Sequence, residues 1–360
     1  MLSWVAFVVG VVGWVATLWS VVESTVVPRG TKSRITAVVA DAVQAVFQRL
    51  ADRFEDWERR GRVWALSGPV FLMLLLGAWL VLLVGSLTLV MLPFAEGSPE
   101  DAFLVAGSSL LTLGVAVPNH VVPVALVFVA AATGLIVVAL QIAYLPTLYG
   151  AFNRREQQVT IVDSLGGSPA WGPELLARFA LIDEVDALDQ FYVRWTEWAA
   201  DLQESHAAYK ALIYFRSPKP TRSWVITFLA MLDAAALHLA VAPDTAPGSA
   251  RRLLRVGYRS LQDIVEELGL PPAPPPAEAT SDLTEADLLA AFDHPEAAGL
   301  PLAQDRAEAI ADFRGWRVNY EVPAYGLAEY IDAVPALWSG NRRRRGATVP
   351  PLRPDHAGLE

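Results

Sequence analysis

The side chains that could build a metal or catalytic site in this 360-residue chain are few and scattered. Asp233 and His238 interrupt an apolar run, and Asp201 and His206 lie not far before it, so a ligand or metal site must be considered. Five residues apart, Asp233 and His238 are poorly placed for one helical face, and no metal motif of fixed spacing is present. We favour polar groups satisfied within a helical core, and we expect neither a metal nor a cofactor.

The composition excludes several functional classes. The chain has no cysteine, which removes disulfides, thiolate metal sites and cysteine nucleophiles. A net charge of −10 argues against nucleic-acid binding, because no basic face dominates. There is no Ser/His/Asp constellation and no glycine-rich phosphate loop. We therefore do not expect an enzyme.

Apolar side chains dominate the chain before residue 153. Charged residues make up only 18% of the sequence, whereas soluble domains carry about 25%. A membrane-crossing helix needs about 20 apolar residues, which predicts spans at 1–23, from residue 63 onward, and at 121–149. Ser223–Val241 is a fourth candidate. Because basic clusters flank it on both sides, a buried core helix is favoured there.

Basic residues at the ends of the predicted spans indicate the orientation of the chain in the membrane. They are Arg29, Lys32 and Arg34 after the first span, Arg59, Arg60 and Arg62 before the second, and Arg154 and Arg155 after the third. The connection between the second and third spans carries acids and no base. The pattern predicts a multi-pass protein of the cell (plasma) membrane with its N-terminus outside and its C-terminal domain in the cytoplasm.

A short helix is predicted between the second and third spans. Ser98 fits an N-cap, Pro99 the first helical position, and Glu100 and Asp101 the positive end of the helix dipole. This helix, roughly Pro99–Leu111, is too short to cross a bilayer, yet it begins outside and the next apolar run must end inside. We expect the chain to enter the membrane and return to the same side. Non-helical backbone is tolerated at membrane depth only where it is buried in protein or lines water.

The remaining segments are predicted to be helices and linkers. Residues 33–62 have apolar side chains at three- and four-residue spacing, which predicts one cytoplasmic amphipathic helix. It would lie on the inner leaflet, pack on the cytoplasmic domain or act as a plain spacer. The rest comprises a cytosolic helical domain at 151–270, a Pro-rich linker at 271–282, a C-terminal helical segment at 283–340 and a basic disordered tail at 341–360.

The return segment carries a resemblance to a known family. It reads Thr112-Leu113-Gly114-Val115-Ala116-Val117-Pro118. Together with the span before it and the helix after it, this T-x-G segment resembles the pore module of tetrameric potassium channels over residues 63–150. The run Tyr144-Leu145-Pro146-Thr147-Leu148-Tyr149, followed by Asn153-Arg154-Arg155-Glu156, is similar to bacterial ion-channel-like proteins with a cytosolic C-terminal region.

The resemblance implies both a fold and a function. In that family four T-x-G-Y-G loops align backbone carbonyls that replace the hydration shell of an ion. The implied protein is an all-α membrane protein with three transmembrane helices, a re-entrant pore helix and a mainly helical cytosolic domain that biases the gate. It would be a homotetramer in the lipid bilayer that conducts monovalent cations, potassium above all. The implied ion filter comprises Thr112, Leu113, Gly114, Val115 and Ala116.

The segment departs from the family pattern after Gly114. Val115 stands where the family has an aromatic residue, Ala116 where it has glycine, and Val117 where it usually has an acid. An L-residue in the left-handed conformation that the glycine adopts costs about 1–2 kcal/mol. Potassium selectivity is therefore not carried over, and a shortened, wider or non-conducting filter stays open. The alternative function is a non-conducting membrane sensor or scaffold that retains the channel fold.

Gating and mouth residues follow from the same resemblance. Gly134 lies where the family often places a hinge glycine, although close helix packing is the slightly favoured explanation. Pro146 would kink the inner helix at the gate or simply end it. Glu96, Glu100 and Asp101 at the outer mouth would concentrate cations in a tetramer. Helix capping in a solvated loop already accounts for Glu100 and Asp101.

Overall fold

The computed structural model describes residues 2–27, 33–95, 98–271, 281–300, 302–342 and 347–351. Several parts of the sequence-based predictions lie outside the described residues: Arg29, Lys32, Glu96, most of the linker (272–280) and most of the tail (343–346 and 352–360). Within the described ranges the chain is all-helical and has no strand, which confirms the all-α class.

Those ranges hold thirteen α-helices and three short 3-10 helices. The α-helices are α1 (Leu2–Thr25), α2 (Arg34–Ala51), α3 (Trp57–Ala65), α4 (Ser67–Met91), α5 (Pro99–Leu110), α6 (Val121–Gly166), α7 (Gly172–Leu181), α8 (Leu188–Ala208), α9 (Trp224–Val241), α10 (Gly248–Leu268), α11 (Glu285–Ala297), α12 (Arg306–Arg317) and α13 (Glu321–Tyr330).

The chain divides into two compact units. The first comprises residues 1–53 and 66–150, and the second comprises residues 54–65 and 151–360. Helices α1, α2, α4, α5 and the first part of α6 belong to the first unit. The last part of α6, α3 and α7 to α13 belong to the second. The C-terminal helices α11 to α13 therefore belong to the same unit as the predicted cytosolic domain.

In the first unit α1 packs along α4 in antiparallel orientation. A Cβ atom added to Gly10 would lie 2.6 Å from the carbonyl oxygen of Ser86, so the glycine allows the two backbones to come close. Further along, the indole N–H of Trp79 donates to Ser20 Oγ at 3.1 Å. Small residues at the contact are the usual means by which apolar helices associate.

The predicted amphipathic helix at 33–62 is wrong as a single element, because the chain breaks between α2 and α3. The carboxylate of Asp56 accepts hydrogen bonds at 3.3 and 3.2 Å from two backbone N–H groups in the first turn of α3. Such a cap starts a new helix. α2 packs on α1 and α4, with Val43 and Phe47 on its buried face, whereas the apolar side chains of Val38, Val46 and Leu50 are exposed.

Helix α6 is longer than the predicted third span. The expected end was Tyr149, but the helix continues through Pro146 to Gly166. The alternative in which Pro146 ends the helix is therefore wrong. Proline removes only one backbone N–H donor, and a helix continues past it where the flanking residues keep their backbone hydrogen bonds. Beside it, the Thr147 hydroxyl donates to the Tyr144 carbonyl at 2.7 Å. A kink at Pro146 stays a prediction.

In the second unit α9 is the central helix. It contacts α7, α10, α12 and α13, and every one of its 18 residues is buried. Gly172 at the start of α7 allows close approach, since an added Cβ would lie 2.8 Å from the Ala230 carbonyl oxygen. Trp195 and Trp198 of α8 pack on Phe228 of α9. The unit thus has a helical core around one apolar helix.

The predicted basic tail begins later than expected. Arg342 is buried, and its guanidinium donates to the carbonyl oxygens of Ala333 at 2.9 Å and Ser339 at 2.7 Å. Val349 then donates its backbone N–H to the Pro335 carbonyl at 2.8 Å. The start of the predicted tail is therefore packed on the second unit. One guanidinium group can do this because its several N–H donors satisfy more than one carbonyl oxygen.

Among the described residues, four helical stretches are long and apolar enough to cross a membrane, which indicates a membrane protein. They are Leu2–Thr25, Trp57–Phe94, Val121–Gly166 and Trp224–Val241. The first three are mostly uncovered by protein, whereas the fourth is α9 and is completely buried. Protein atoms therefore surround α9, as the prediction of a core helix there requires.

Candidate functional site

The candidate site is the segment 111–120, which connects α5 to α6 in the first unit. The helix before it starts as predicted: the Ser98 backbone N–H donates to Asp101 Oδ2 at 2.9 Å, and the two side chains form a capping box. The carboxylate of Asp101 is thus engaged in the helix start, whereas Glu100 is exposed in the same turn.

Helix α5 ends against the first third of α6. A Cβ atom added to Gly134 would overlap the carbonyl oxygen of Leu110, so the two backbones are in direct contact. Gly134 lies 13 residues past Val121, the first residue of α6, which is about 20 Å along the helix axis. This contact favours the packing explanation for Gly134, and its role as a hinge stays a prediction.

The chain from Leu111 to His120 returns over this distance to the start of α6. Ten residues can reach up to about 33 Å when extended, so the return leaves room for bends. Two bends occur in the predicted filter, where Thr112 has φ 55° and Gly114 has φ 70°. Glycine adopts this left-handed conformation readily, whereas Thr112 carries strain of about 1–2 kcal/mol.

The positions of these bends change the interpretation of the departures from the family pattern. Ala116 stands where the family has glycine, yet it does not have a positive φ. Ala116 therefore does not carry the backbone strain that an L-residue would have in the left-handed conformation. Thr112 carries such strain instead, and strained backbone of this kind is concentrated at binding and catalytic sites.

Ser108, which the sequence analysis did not single out, fastens the return segment to α5. Its buried hydroxyl accepts the backbone N–H groups of Val115 at 2.9 Å and Ala116 at 3.2 Å. Its carbonyl accepts the N–H of Leu113 at 2.8 Å. Three positions of the predicted filter thus depend on one residue. The only sequence signal is a serine near the end of an apolar helix, where its hydroxyl can bond to nearby backbone.

The apolar side chains of the return segment are exposed in the single chain. Leu113 is 62%, Val115 74% and Val117 65% exposed. The three side chains lie within five consecutive residues and are uncovered by protein in the single chain. Such exposed apolar surface needs lipid or protein around it, since contiguous apolar surface in water marks an interaction site.

Asp233, the strongest polar candidate of the second unit, is part of a buried network instead of an open site. It forms an ion pair with Arg317 and accepts a hydrogen bond from the Tyr320 hydroxyl at 2.9 Å. Burial alone would lower the pKa of Arg317, but Asp233 and neighbouring acidic groups hold it well above its ordinary value. Arg317 also donates to Tyr325 Oη and to the Trp338 carbonyl.

The other polar candidates have separate local partners. His238 Nδ1 lies 3.2 Å from Tyr192 Oη, His206 Nδ1 donates to the Leu202 carbonyl at 2.9 Å, and Asp201 pairs with Arg154 at 3.1 Å. Within the part of the chain that the structure describes, no group of three or more His, Asp or Glu side chains is placed to hold a metal ion. Asp201, Asp233 and His238 thus have protein partners, whereas Nε2 of His206 is buried without a hydrogen-bond partner among the described residues.

The chain was also compared with known proteins. No protein-family model, no curated protein and no solved structure matches it.

Proposed function

We propose that this protein is an oligomeric ion channel that conducts cations through the return segment Thr112–Val117. The observation that carries the proposal is the path of the chain around that segment. The short helix α5 ends beside Gly134, about 20 Å along α6, and the segment then returns to the start of α6. A hydrocarbon core is about 30 Å thick, so the turn would lie deep in the membrane.

The membrane arrangement belongs to the proposal as well. α1, α4 and the first part of α6 would be three spans, and α5 would be the pore helix. The antiparallel packing of α1 on α4 fits two successive spans, and the basic flanks favour an N-terminus outside. Basic residues such as Arg34, Arg62 and Arg154 would then lie inside, at the plasma membrane. The second unit would be the cytosolic domain that biases opening.

The environment of the return segment supports an oligomer. Non-helical backbone at membrane depth must be buried in protein or line water, and the side chains of Leu113, Val115 and Val117 are uncovered in a single chain. Copies of the chain around a common axis would supply protein on one side and a water-filled path on the other. Four copies are proposed, because one such segment per chain requires several chains to close a ring.

Charge favours cations in this arrangement. The C-terminal end of α5 at Leu110 carries the negative end of the helix dipole and would point toward the pore. The exposed Glu100 would contribute one carboxylate per chain at the outer mouth. Carbonyls near the bends at Thr112 and Gly114 would face the ion, as in filters that replace the hydration shell. Potassium is the proposed ion.

The first test is cation flux into liposomes that contain the purified full chain, with potassium and sodium compared. A Gly114→Asp variant puts a carboxylate on a left-handed backbone position, and we expect it to reduce flux by at least about tenfold. Asn119→Asp adds the same charge to the same return segment outside the filter and should leave flux nearly unchanged. Equal flux in all three proteins would contradict conduction through this segment.

A second test uses the absence of cysteine. Val115→Cys and Val81→Cys replace two valines of similar exposure in the single chain, 74% and 72%, but only the first lies in the return segment. A thiol reacts in water as its thiolate. A charged, membrane-impermeant thiol reagent should therefore modify Val115→Cys and block its flux, while Val81→Cys in α4 stays unmodified. Modification of neither variant would mean that the segment does not line water.

The alternative function is a non-conducting membrane sensor or scaffold with the same fold. The valines at positions 115 and 117, where the channel family has an aromatic residue and an acid, favour this alternative. Absence of flux for both ions from a verified tetramer would support it. Potassium flux that Gly114→Asp abolishes would exclude it.

A further inference from the structure

A small cavity in the second unit lies between α3, the segment 216–224 and the segment 331–334. Its volume is about 40 Å³, which is room for about three water molecules. The lining includes the cationic side chains of Arg60, Arg216 and Lys219, and one carboxylate, Asp332. The lining therefore carries an excess of positive charge.

The single carboxylate is already engaged. Arg60 Nη2 lies 2.5 Å from Asp332 Oδ2, and the indole N–H of Trp64 donates to the same oxygen at 2.9 Å. Asp332 has a φ of 49°, a strained conformation for a residue other than glycine. The ion pair neutralises Arg60 and leaves the charges of Arg216 and Lys219 uncompensated in the lining.

Arg216 is held beside the cavity by stacking. Its guanidinium lies 4.1 Å from the centroid of the Trp64 ring, and among the described residues it makes no hydrogen bond or ion pair. Burial lowers the pKa of Arg216 to about 9; Asp332 opposes this change and the neighbouring Arg60 adds to it. The group is charged at neutral pH, and an anion beside it would relieve the repulsion between the two guanidinium groups.

Two hydroxyl groups in the lining also lack a protein partner among the described residues. They are Ser223 Oγ, on a side chain that is only 7% exposed, and Ser217 Oγ. A buried hydroxyl without a hydrogen bond costs about 1–3 kcal/mol. Two idle hydroxyl donors beside two uncompensated cations are the donor set of an oxyanion site.

We propose that this cavity binds a phosphate group through Arg216, Ser217, Lys219 and Ser223. The planar fork of a guanidinium matches two phosphate oxygens, and Lys219 adds a point charge at the rim. A phosphate presents enough acceptor oxygens to satisfy both hydroxyls and the guanidinium at once. The site is independent of ion conduction.

Two sources could supply the phosphate. One is free phosphate or a phosphorylated small molecule in solution. The other is the headgroup of an anionic phospholipid, since the chain passes from α3 to the apolar helix α4 through Leu66 alone. A tryptophan shortly before an apolar helix, such as the partly exposed Trp57 of α3, is typical of the membrane interface.

The test measures binding to the full chain in a neutral detergent, first with inorganic phosphate alone and then with micelles that contain phosphatidylglycerol. Arg216→Gln should weaken binding by about tenfold or more, because a charge-assisted fork is lost. The exposed Arg252 of α10 gives the matched control. Arg252→Gln removes the same charge from the second unit and should bind within about twofold of the unmodified chain.

A second variant, Ser223→Ala, distinguishes loss of phosphate binding from loss of folding. It removes one hydroxyl, relieves a buried unsatisfied group and should fold at least as well as the unmodified chain, yet bind phosphate several-fold more weakly. Saturable binding of inorganic phosphate identifies a soluble ligand, and binding only with phosphatidylglycerol identifies a lipid. Absence of saturable binding to either probe, or equal affinities in Arg216→Gln and Arg252→Gln, would overturn the proposal.

Discussion

The two units use apolar helices in opposite ways. In the most apolar windows of Leu2–Thr25, Trp57–Phe94 and Val121–Gly166, only 22%, 33% and 28% of the residues are buried within the protein, whereas the corresponding window of α9 is 100% buried. All four stretches are apolar enough for a membrane. The difference shows that composition selects helices that avoid water, and that the neighbouring elements decide whether protein or lipid covers them.

The two units also differ in whether their buried polar groups carry charge. In the first unit the buried polar contacts on α1 are between neutral groups: Ser20 Oγ lies 2.5 Å from Ser33 Oγ and accepts from Trp79. In the second unit the central helix carries a carboxylate, Asp233, paired with Arg317. A fully buried charge is tolerated where a protein core supplies partners and is expensive where lipid must do so.

The largest effect should come from breaking that ion pair. Arg317→Met leaves Asp233 buried without its cation, and we expect the second unit to lose about 3–5 kcal/mol of unfolding free energy. Thermal or denaturant unfolding of the full chain in detergent measures it. Arg306→Met on the same helix removes a partly exposed arginine from its pairs with Asp293 and Glu296 and should cost about 1 kcal/mol or less. Similar losses in both variants would mean that the buried pair is not special.

A packing change should break the first unit instead. Gly134→Ala introduces a Cβ atom that overlaps the Leu110 carbonyl, and overpacking of this kind costs about 1–3 kcal/mol. Gly77→Ala on α4 is the control, because its added Cβ meets nothing within 4 Å. It should be neutral or stabilising by up to about 1 kcal/mol. If Gly134→Ala were as stable as Gly77→Ala, the end of α5 would not rest on α6.

The features that sequence alone predicted are those set by local chemistry. The start of α5 follows from Ser98 and Asp101, whose capping box needs only four consecutive residues. The core position of α9 follows from its basic flanks and from Asp233, which together make a membrane span costly. Such signals are present in a short window of sequence, so no knowledge of the fold is needed to use them.

The features that sequence did not predict depend on distant or idiosyncratic contacts. The partner of Asp233 is Arg317, 84 residues away, and no spacing rule connects them. The break between α2 and α3 follows from the Asp56 cap inside a pattern that continues to look amphipathic. The Ser108 anchor was missed for a third reason: many serines in apolar helices bond only to their own helix.

Acid should affect the second unit through a buried histidine. Burial, reinforced by Arg155, lowers the pKa of His206 to about 3 from an ordinary value of 6.5. On acidification the unfolded chain therefore binds the proton first, so this contribution to stability is complete above pH 6.5 and is lost progressively as the pH falls toward 3.

The loss is about 1.4 kcal/mol for each pH unit below 6.5. Unfolding at about pH 7.5 and about pH 5.5 should thus differ by roughly this amount from His206 alone. In His206→Asn the residue at this position no longer titrates, and the difference between the two pH values should shrink accordingly. An unchanged difference in the variant would assign the acid response to other groups.

The smallest effect, and the one most specific to the return segment, should come from Ser108→Ala. The change frees the backbone N–H groups of Val115 and Ala116 and should cost about 1 kcal/mol. Ser109→Ala is the neighbouring control, since the Ser109 hydroxyl donates to Val105 within its own helix.

Each variant loses a single hydroxyl, so global stability should fall by no more than about 1 kcal/mol. Local accessibility of the return segment is therefore the sharper measurement. In a Val115→Cys background, loosening of the segment by Ser108→Ala should change the rate of thiol modification severalfold, about the factor that 1 kcal/mol gives. Ser109→Ala should leave that rate unchanged. Equal rates in the two serine variants would show that contacts other than Ser108 hold the strained Thr112 and the bend at Gly114 in place.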